Sequence, residues 1–162
     1  RIPFEGIVHV VPLAGRTLLW TAPFAEEEPG RLFDDGVVWP ARRGRSVLGG
    51  PILSGGREWP AGIGVHAPSR LAYDLDSSGI FRSRVGVTDA GRVRDDRGSV
   101  VFEVLGDGVT LWKSPLVRLG EDPLDTGPIA FKDVQRLELL VHDGGDLAVG
   151  DRAAWLLPII SH

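Results

Sequence analysis

The sequence predicts an all-β domain built as a β-sandwich, and a jelly roll is the favoured arrangement. Turn-forming residues are frequent, with 22 glycines and 12 prolines in 162 residues, yet 43% of the chain is hydrophobic, which argues against disorder. Short segments alternate between apolar and polar residues and are separated by turn signals, as antiparallel strands are. No window of useful length has the apolar periodicity of a helix. We therefore expect about eight or more strands and no helix.

The expected strands follow one another in chain order between these turns. In residues 80–87, Phe81 and Val85 fall on one face and Arg82 and Arg84 on the other. The Asp-Gly pair at 107–108 is among the best short hairpin signals. The segments interpreted as strands are 6–11, 16–20, 37–39, 69–75, 80–87, 99–105, 109–113, 116–120, 136–142 and 151–160.

Two charged segments of the N-terminal part are expected to be loops. Residues 26–30 are acidic and end in Pro-Gly, which indicates a solvated loop. Arg42, Arg43 and Arg45 form a small basic cluster, also interpreted as a solvated loop. The alternative for this cluster is an arginine that stacks on a sugar or pairs with a carboxylate.

The stretch from Trp59 to Leu75 organises the rest of the chain. It is predicted to be a glycine-rich turn followed by a half-buried strand, with Trp59 and His66 held where the strand begins. Its G-x-G-x-x-A spacing does not indicate a dinucleotide fold, because Pro68 and a strand follow where a helix is required. The later Asp74–Val85 segment does not form an EF-hand loop, because Val85 replaces the bidentate glutamate of the twelfth position.

Composition excludes several classes of function. The net charge of −4 argues against a nucleic-acid partner, and no apolar run is long enough to span a membrane. Without cysteine there are no disulfides and no thiolate metal sites. No nucleophile motif is present. The chain begins at Arg1 and contains no methionine, so we expect it to be an excised piece of a longer protein.

Several separated motifs together resemble the NPCBM family of carbohydrate-binding modules, which is related to CBM family 51. The resemblance covers residues 45–160 and rests on the order and spacing of its motifs. They are Ser46–Gly50, the W-P-A-G-I-G-V-H-A stretch, L-A-Y-D-L at 71–75, G-S-V-V-F-E-V-L-G-D-G at 98–108, Leu137–Leu139 and D-G-G-D-L-A-V-G-D-R-A-A-W at 143–155.

The resemblance implies a galactose-binding-like jelly roll that binds sugar and catalyses nothing, appended to a glycoside hydrolase or another larger extracellular or periplasmic protein. Some relatives bind galactose-type glycans and carry a structural calcium ion. Residues 1–44 lie outside the resemblance and are expected to add strands to the same domain, while residues 45–162 form the module. Other domains of the parent protein are the expected partners besides carbohydrate.

The candidate ligand-binding residues are aromatic or able to donate hydrogen bonds. A sugar stacks its C–H face on an aromatic ring while polar groups fix its hydroxyls, and Trp59 and His66 could supply the two roles. Arg82 and Arg84 could reach a shallow groove on the sheet, and Trp112 lies at a hairpin end. Each has a structural alternative, namely core packing for the tryptophans, one hydrogen bond inside the turn for His66 and a solvated face for the arginines. Trp155 is interpreted as core.

Asp143, Asp146 and Asp151 form a candidate calcium site in a glycine-rich loop. Calcium prefers six to eight oxygen ligands, several of them carboxylates from a flexible loop. The alternative is Asx-turn chemistry, in which each side chain bonds to the nearby backbone. Zinc is disfavoured because His66 and His142 are far apart in sequence and no third nitrogen or thiolate ligand accompanies them.

Three functions compete for this sequence. The favoured one is a non-catalytic carbohydrate-binding module, which predicts an exposed aromatic ring beside polar groups. The second is a structural or protein-interaction β-sandwich, which predicts that Trp59 and His66 are buried. The third is a glycoside hydrolase, which needs two carboxylates across a cleft, and neither the pair Glu103 and Asp107 nor the pair Asp89 and Asp96 is selected by its spacing.

Overall fold

A computed structural model describes residues 14–31, 36–89 and 98–162 of the chain, and these contain seventeen β-strands and no helix. The predicted strand at residues 6–11 lies outside the described residues. No helix that could cross a membrane occurs within the described ranges. The strands are β1 (Arg16–Leu18), β2 (Glu26–Glu28), β3 (Gly30–Arg31), β4 (Val38–Trp39), β5 (Arg42–Arg43), β6 (Ile52–Ser54), β7 (Arg57–Trp59), β8 (Gly62–His66), β9 (Ser69–Asp74), β10 (Gly79–Val87), β11 (Ser99–Gly106), β12 (Val109–Lys113), β13 (Val117–Arg118), β14 (Leu124–Asp125), β15 (Ile129–Phe131), β16 (Arg136–Asp143) and β17 (Arg152–Ser161).

The strands form two main antiparallel sheets and two short hairpins. Sheet A has the order β14-β10-β17-β8-β5, with β1 also paired to β17 and β15 to β10. Sheet B has the order β12-β11-β16-β9-β2, with β13 also paired to β11. Strands β3 and β4 form one hairpin, and β6 and β7 form the other. Because neighbours such as β8 and β17 are distant in sequence, the chain crosses between sheets as in a jelly roll. The predicted all-β sandwich is confirmed.

The main core fills the space between the two sheets. Trp155 of sheet A is fully buried, and its ring meets Phe81 and Phe102 edge-on at centroid distances of 6.2 and 5.1 Å. Phe102 belongs to sheet B, so this cluster joins the two layers. Aromatic pairs in this geometry gain about 0.5–1.5 kcal/mol beyond their buried area. Trp155 is therefore a core residue, as predicted. The predicted alternation with Leu157 and Ile159 is wrong, because the register of β17 shifts after Leu156, so that Leu157 packs on a separate cluster and Ile160 enters this core.

A second, small core lies on the outer face of sheet A. The hairpin of β6 and β7 covers that face, and Ile52 and Trp59 pack there on Ala154 and Leu156 of β17. Successive residues of a strand point to opposite faces, so Trp155 enters the main core while its neighbours enter the small one. Strand β17 therefore separates two apolar clusters.

The segment predicted to be a turn, Trp59 to His66, instead contains the buried strand β8. Gly62 and Gly64 are needed for close approach of the backbone and not for a turn. A Cβ on Gly64 would lie 2.4 Å from the carbonyl oxygen of Arg45 and 2.4 Å from the amide nitrogen of Val47. The sequence predicts a need for glycine at these two positions correctly, whereas the turn predicted around them is wrong.

Residues 26–28, predicted to be a loop, form β2 at the edge of sheet B. Arg70 of β9 draws this acidic strand to the sheet, because its guanidinium group contacts the carboxylates of Glu26 and Glu28 at 3.1 and 3.2 Å. A third carboxylate, that of Glu138, accepts a hydrogen bond from Arg70 Nε at 2.8 Å. Charge pairing across strands therefore overrides the turn signal.

The part of residues 1–44 that the structure describes contributes strands to both sheets. β1 pairs with β17, β2 with β9 and β5 with β8. Arg42 and Arg43 thus lie on a strand and not in a loop. Arg43 donates to the carbonyl oxygen of Ala22 at 3.0 Å, and its guanidinium group lies 5.5 Å from the Phe24 ring centroid.

Candidate functional site

Three of the five predicted ligand-binding residues meet in one groove on the outer face of sheet A. The groove has a volume of about 420 Å³ and is formed by β7, β10, β17 and the end of β14. We call it the arginine groove. Its lining residues are Arg57, Trp59, Arg82, Ser83, Arg84, Asp125, Leu156 and Leu157.

Strand β10 directs its arginines into the groove by simple alternation. Phe81 and Val85 are buried in the main core, so Arg82 and Arg84 point to the outer face. The pairing with β17 shifts between these arginines, because Arg82 lies opposite Ile159 whereas Arg84 lies opposite Leu156. This irregularity is a β-bulge on β17, and bulges re-aim neighbouring side chains.

Trp59 forms the inner wall of the groove and is only 4% exposed. Its indole nitrogen donates to the carbonyl oxygen of Ser54 at 3.2 Å. The guanidinium carbon of Arg57 lies 3.9 Å from the centre of the Trp59 ring, and that of Arg84 lies 6.0 Å away. A sugar could stack on this ring only after Arg57 had moved aside. Trp59 thus serves as a platform for arginines in this structure.

His66 is not brought to the groove. It lies opposite Arg152 on β17, while the groove end of β8 lies opposite Leu156. Its side chain is 5% exposed, and its Nδ1 donates to the carbonyl oxygen of Ala67 at 2.7 Å. The burial of both Trp59 and His66 is what the structural alternative predicts for these two residues.

Sequence reasoning missed Trp39 as a companion of His66. The two rings are stacked, with centroids 5.5 Å apart and an interplanar angle of 12°. Trp39 lies on the short strand β4 and is partly exposed. The sequence did indicate that Trp39 ends a strand, because Pro40 follows it directly. The pairing itself is formed by the β3-β4 hairpin, which the sequence does not reveal.

Trp112, the fifth predicted residue, lies on the other sheet. It is on β12 at the edge of sheet B, is half-buried and packs against the main core. It therefore does not share a site with the arginine groove.

The three candidate calcium ligands do come together. One carboxylate oxygen from each of Asp143, Asp146 and Asp151 lies within 4.8 Å of the others. Asp151 is fully buried, whereas Asp143 and Asp146 are exposed. Asp151 accepts a hydrogen bond from the Ser99 amide through Oδ1 at 2.8 Å. Its Oδ2 is buried and has no hydrogen-bond partner among the described residues.

Burial dominates the electrostatics of this cluster. Together with the nearby carboxylates of Asp146 and Asp143 it raises the pKa of Asp151 to about 7, against the lowering effect of the backbone amides of Ser99 and Gly144. A bound cation would reverse this shift, because it favours the charged carboxylate.

The Asx-turn alternative also holds for part of the cluster. Asp143 Oδ1 accepts from the amides of Gly145 and Asp146, the latter at 3.2 Å, and Asp146 Oδ2 accepts from the Ser99 hydroxyl at 3.1 Å. These bonds account for Asp143 and Asp146 but not for the orphaned oxygen of Asp151. Local turn chemistry therefore explains only part of the cluster.

The carboxylates considered for glycoside hydrolysis are engaged in structural contacts. Glu103 accepts from Thr110 at 2.6 Å and lies 2.7 Å from His142 Nε2, and these contacts lower its pKa. Asp107 accepts from the backbone amide of Arg136 at 2.8 Å, next to the hairpin turn. Asp96 lies outside the described residues. Asp107 does line a cavity, but its carboxylate oxygens accept from the backbone amides of Gln135 and Arg136. Glu103 is not part of that lining, so the two carboxylates do not form an acid and base pair across it.

A larger cavity, of about 750 Å³, lies at one end of the sandwich and contains none of the predicted ligand-binding or calcium-binding residues. It is lined by acidic side chains, and the carboxylate of Asp74 pairs with Arg136 at 3.0 Å. Size alone therefore does not identify the ligand site.

Comparisons with known proteins place the whole domain among carbohydrate-binding modules. A family model described as NPCBM/NEW2 domain matches residues 24–160. Over 73 residues the chain is 37% identical to a protein of Renibacterium salmoninarum named "Putative endo-alpha-N-acetylgalactosaminidase". That stretch is 44% of this chain and only 5% of the relative's length.

Solved structures show the same fold. The CBM51-2 module of Clostridium perfringens ZmpB, in a structure with GlcNAc and INT domains, has a TM-score of 0.77 at 22% identity, covering 91% of this chain and 31% of that one. The CBM51 of Clostridium perfringens GH95, in complex with methyl-galactose, has a TM-score of 0.74 at 23% identity, with coverage of 90% and 99%. The tandem CBM51 modules of the Streptococcus pneumoniae family 98 glycoside hydrolase have a TM-score of 0.74 at 19% identity, with coverage of 93% and 48%.

Proposed function

This chain belongs to the NPCBM/NEW2 family, and from that premise we propose that it is a non-catalytic carbohydrate-binding module of a larger protein. The match over residues 24–160 is the observation that carries the proposal, because it includes nearly all the strands of both sheets. It also includes residues 24–44, which the sequence analysis left outside the resemblance.

We propose that the arginine groove is the sugar site. Three observations support this position: it unites Trp59, Arg82 and Arg84, it is open to solvent through exposed arginines, and it lies on the rigid face of a sheet. Directional donors fix the orientation of a sugar, and a guanidinium group supplies five of them. Two of the similar structures are complexes with methyl-galactose and GlcNAc, so galactose-type and N-acetylglucosamine-type glycans are the first candidates.

The parent protein is proposed to be a secreted or periplasmic enzyme that acts on glycans. This chain covers only 31% and 48% of two of the similar structures, and two of the modules come from proteins named GH95 and "the family 98 glycoside hydrolase". In such an arrangement the module holds the enzyme on its substrate, which raises the local substrate concentration.

We further propose that Asp143, Asp146 and Asp151 hold a structural calcium ion. The fit is supported by the orphaned, buried oxygen of Asp151 and by the convergence of three carboxylates in a glycine-rich loop. The ion would compensate the buried charge of Asp151 and fix the 143–151 loop. It has no catalytic role in this proposal.

The experiment that tests the function is a glycan-array screen with calcium and again with chelator, followed by calorimetry on each hit. Arg84→Gln is expected to lose binding, and Arg118→Gln, an exposed arginine on sheet B, serves as the matched control. Equal loss in both variants would remove the groove as the site. Loss with chelator alone would link the metal to binding.

A structural or protein-interaction domain is the second candidate. The burial of Trp59 and His66 favours it, because neither ring face is free for a sugar in this structure. Absence of binding to every glycan by folded protein would establish this reading in place of the first.

A further inference from the structure

We infer that the arginine groove selects glycans that carry an anionic group, a carboxylate or a sulfate, over their neutral counterparts. This inference rests on the proposed carbohydrate-binding function and specifies the chemical class of ligand. It follows from the charges of the groove, from the surroundings of each arginine and from the weakness of the ion pair that the described residues form there.

The groove is positive on a protein that is negative. Its lining contains three arginines and one carboxylate, that of Asp125, whereas the chain as a whole has a net charge of −4. The carboxylate of Glu58 is not part of the lining, although this residue stands between Arg57 and Trp59 in sequence. A local positive field in an acidic surface attracts a single anionic group without attracting extended polyanions.

The guanidinium group of Arg82 is open to a ligand. Its side chain makes no hydrogen bond, ion pair or ring contact within the described residues, and it is exposed on the groove wall. A free guanidinium fork matches the two oxygens of a carboxylate or sulfate and forms charge-assisted hydrogen bonds with them. A neutral hydroxyl group offers a single oxygen and no charge, so it binds the guanidinium group more weakly.

Arg57 is held in place by Trp59 and keeps its edge for a ligand. Its guanidinium carbon lies 3.9 Å from the ring centre, so the face of the group is engaged by the indole. The N–H groups of a guanidinium group lie in its plane and remain able to donate when its face is covered. Trp59 therefore orders the arginine instead of contacting the sugar, which accounts for a buried tryptophan in the wall of a binding groove.

Arg84 is held by an ion pair that a ligand can replace. Its contact with Asp125 is 3.5 Å long, and the two side chains are 46% and 56% exposed. Exposed pairs of this kind contribute little to stability. Asp125 is anchored independently, because its Oδ1 accepts from the Gly127 amide at 2.8 Å. Its carboxylate consequently occupies part of the groove as a built-in competitor of an anionic ligand.

The test compares matched ligands on the intact domain by calorimetry: lactose, sialylated lactose for the carboxylate, and 6-sulfated lactose for the sulfate. We expect the anionic forms to bind at least tenfold more tightly than lactose, and this preference to fall as sodium chloride is raised. Arg82→Gln should weaken binding of the anionic forms about tenfold and change lactose binding less than twofold. Arg118→Gln, on sheet B, is the control of equal charge change.

Asp125→Asn should raise the affinity for anionic ligands, where Arg82→Gln lowers it. A gain in affinity cannot result from misfolding. The substitution removes the competing charge and keeps the oxygen that accepts from Gly127, so anionic ligands should bind several-fold more tightly. Equal affinity for lactose and both anionic forms, unaffected by Arg82→Gln, would overturn the inference and leave the carbohydrate-binding function standing. No binding to any glycan would overturn both.

Discussion

Asp151 makes the stability of this domain depend on pH and on calcium in a way that can be measured without any sugar. The perturbation is a change from pH 5 to pH 8 in the presence of chelator. Burial raises the pKa of Asp151 from 3.8 to about 7 in the folded protein, so the folded state holds its proton more tightly than the unfolded chain does. Stability is therefore greatest below the unfolded pKa and is lost as pH rises toward 7.

The magnitude follows from the two pKa values. A shift of about 3 units corresponds to about 4 kcal/mol for the fully ionised side chain. Part of this loss is already present at pH 5, where the unfolded carboxylate is mostly ionised, so the change between pH 5 and pH 8 is about 2 to 3 kcal/mol. For a domain of this size the melting temperature should fall by about 5 to 10 °C.

The assay is urea unfolding followed by tryptophan fluorescence at both pH values. Histidines ionise in the same range, so Asp151→Asn is the reference, and its stability should change less than that of the wild type. At pH 8, calcium at a hundred times its Kd should stabilise the wild type by about 2.7 kcal/mol. The same concentration should stabilise it less at pH 5, where protonated Asp151 weakens calcium binding. A wild type whose stability in chelator matches that of Asp151→Asn at both pH values would refute the reasoning.

Three further substitutions test the fold. Gly64→Ala should lower the free energy of unfolding by about 1 to 3 kcal/mol, because its Cβ would lie 2.4 Å from two backbone atoms of the neighbouring loop. Gly50→Ala is the control and should leave the urea midpoint unchanged, because the nearest atom to its Cβ would be 4.0 Å away. Arg70→Met should lower the free energy of unfolding by about 1 to 3 kcal/mol and speed hydrogen exchange of the β2 amides, because three carboxylate contacts are lost. Unchanged exchange would contradict the role of Arg70 in holding β2. Trp59→Ala should lower the free energy of unfolding by about 3 to 5 kcal/mol. The loss should exceed that of Trp112→Ala, because Trp59 is buried and Trp112 is only half-buried. A larger loss in Trp112→Ala would refute the second core.

The sequence predicts most of the long strands, because their alternation is set by burial on a single face. The edges were harder to predict. Short strands such as Leu124–Asp125 and Ile129–Phe131 have too few residues to show a period, and β2 is formed by ion pairs with Arg70, from a strand 44 residues away. Such long-range pairing has no local signal.

The candidate site was predicted in part for similar reasons. Alternation on β10 placed Arg82 and Arg84 together, and the glycine-rich loop brought the three aspartates together. Trp59 and Arg57 reach the same groove only because the β6-β7 hairpin folds over sheet A. His66 was grouped with Trp59 because both were expected where a strand begins, and Trp112 was included for its place at a hairpin end. Neither position tells which face or sheet the side chain occupies.

The acidic strand β2 has a consequence for the behaviour of the domain at high concentration. Among the described residues it is the last strand in the order of sheet B, so its outer edge offers backbone groups with which another chain could pair. Its three consecutive glutamates are exposed, and a second copy laid against them would bring like charges into register. Arg70 contacts these carboxylates from within sheet B, and the same carboxylates repel a second copy that approaches the outer edge. The negative charge therefore protects this edge against aggregation by strand pairing.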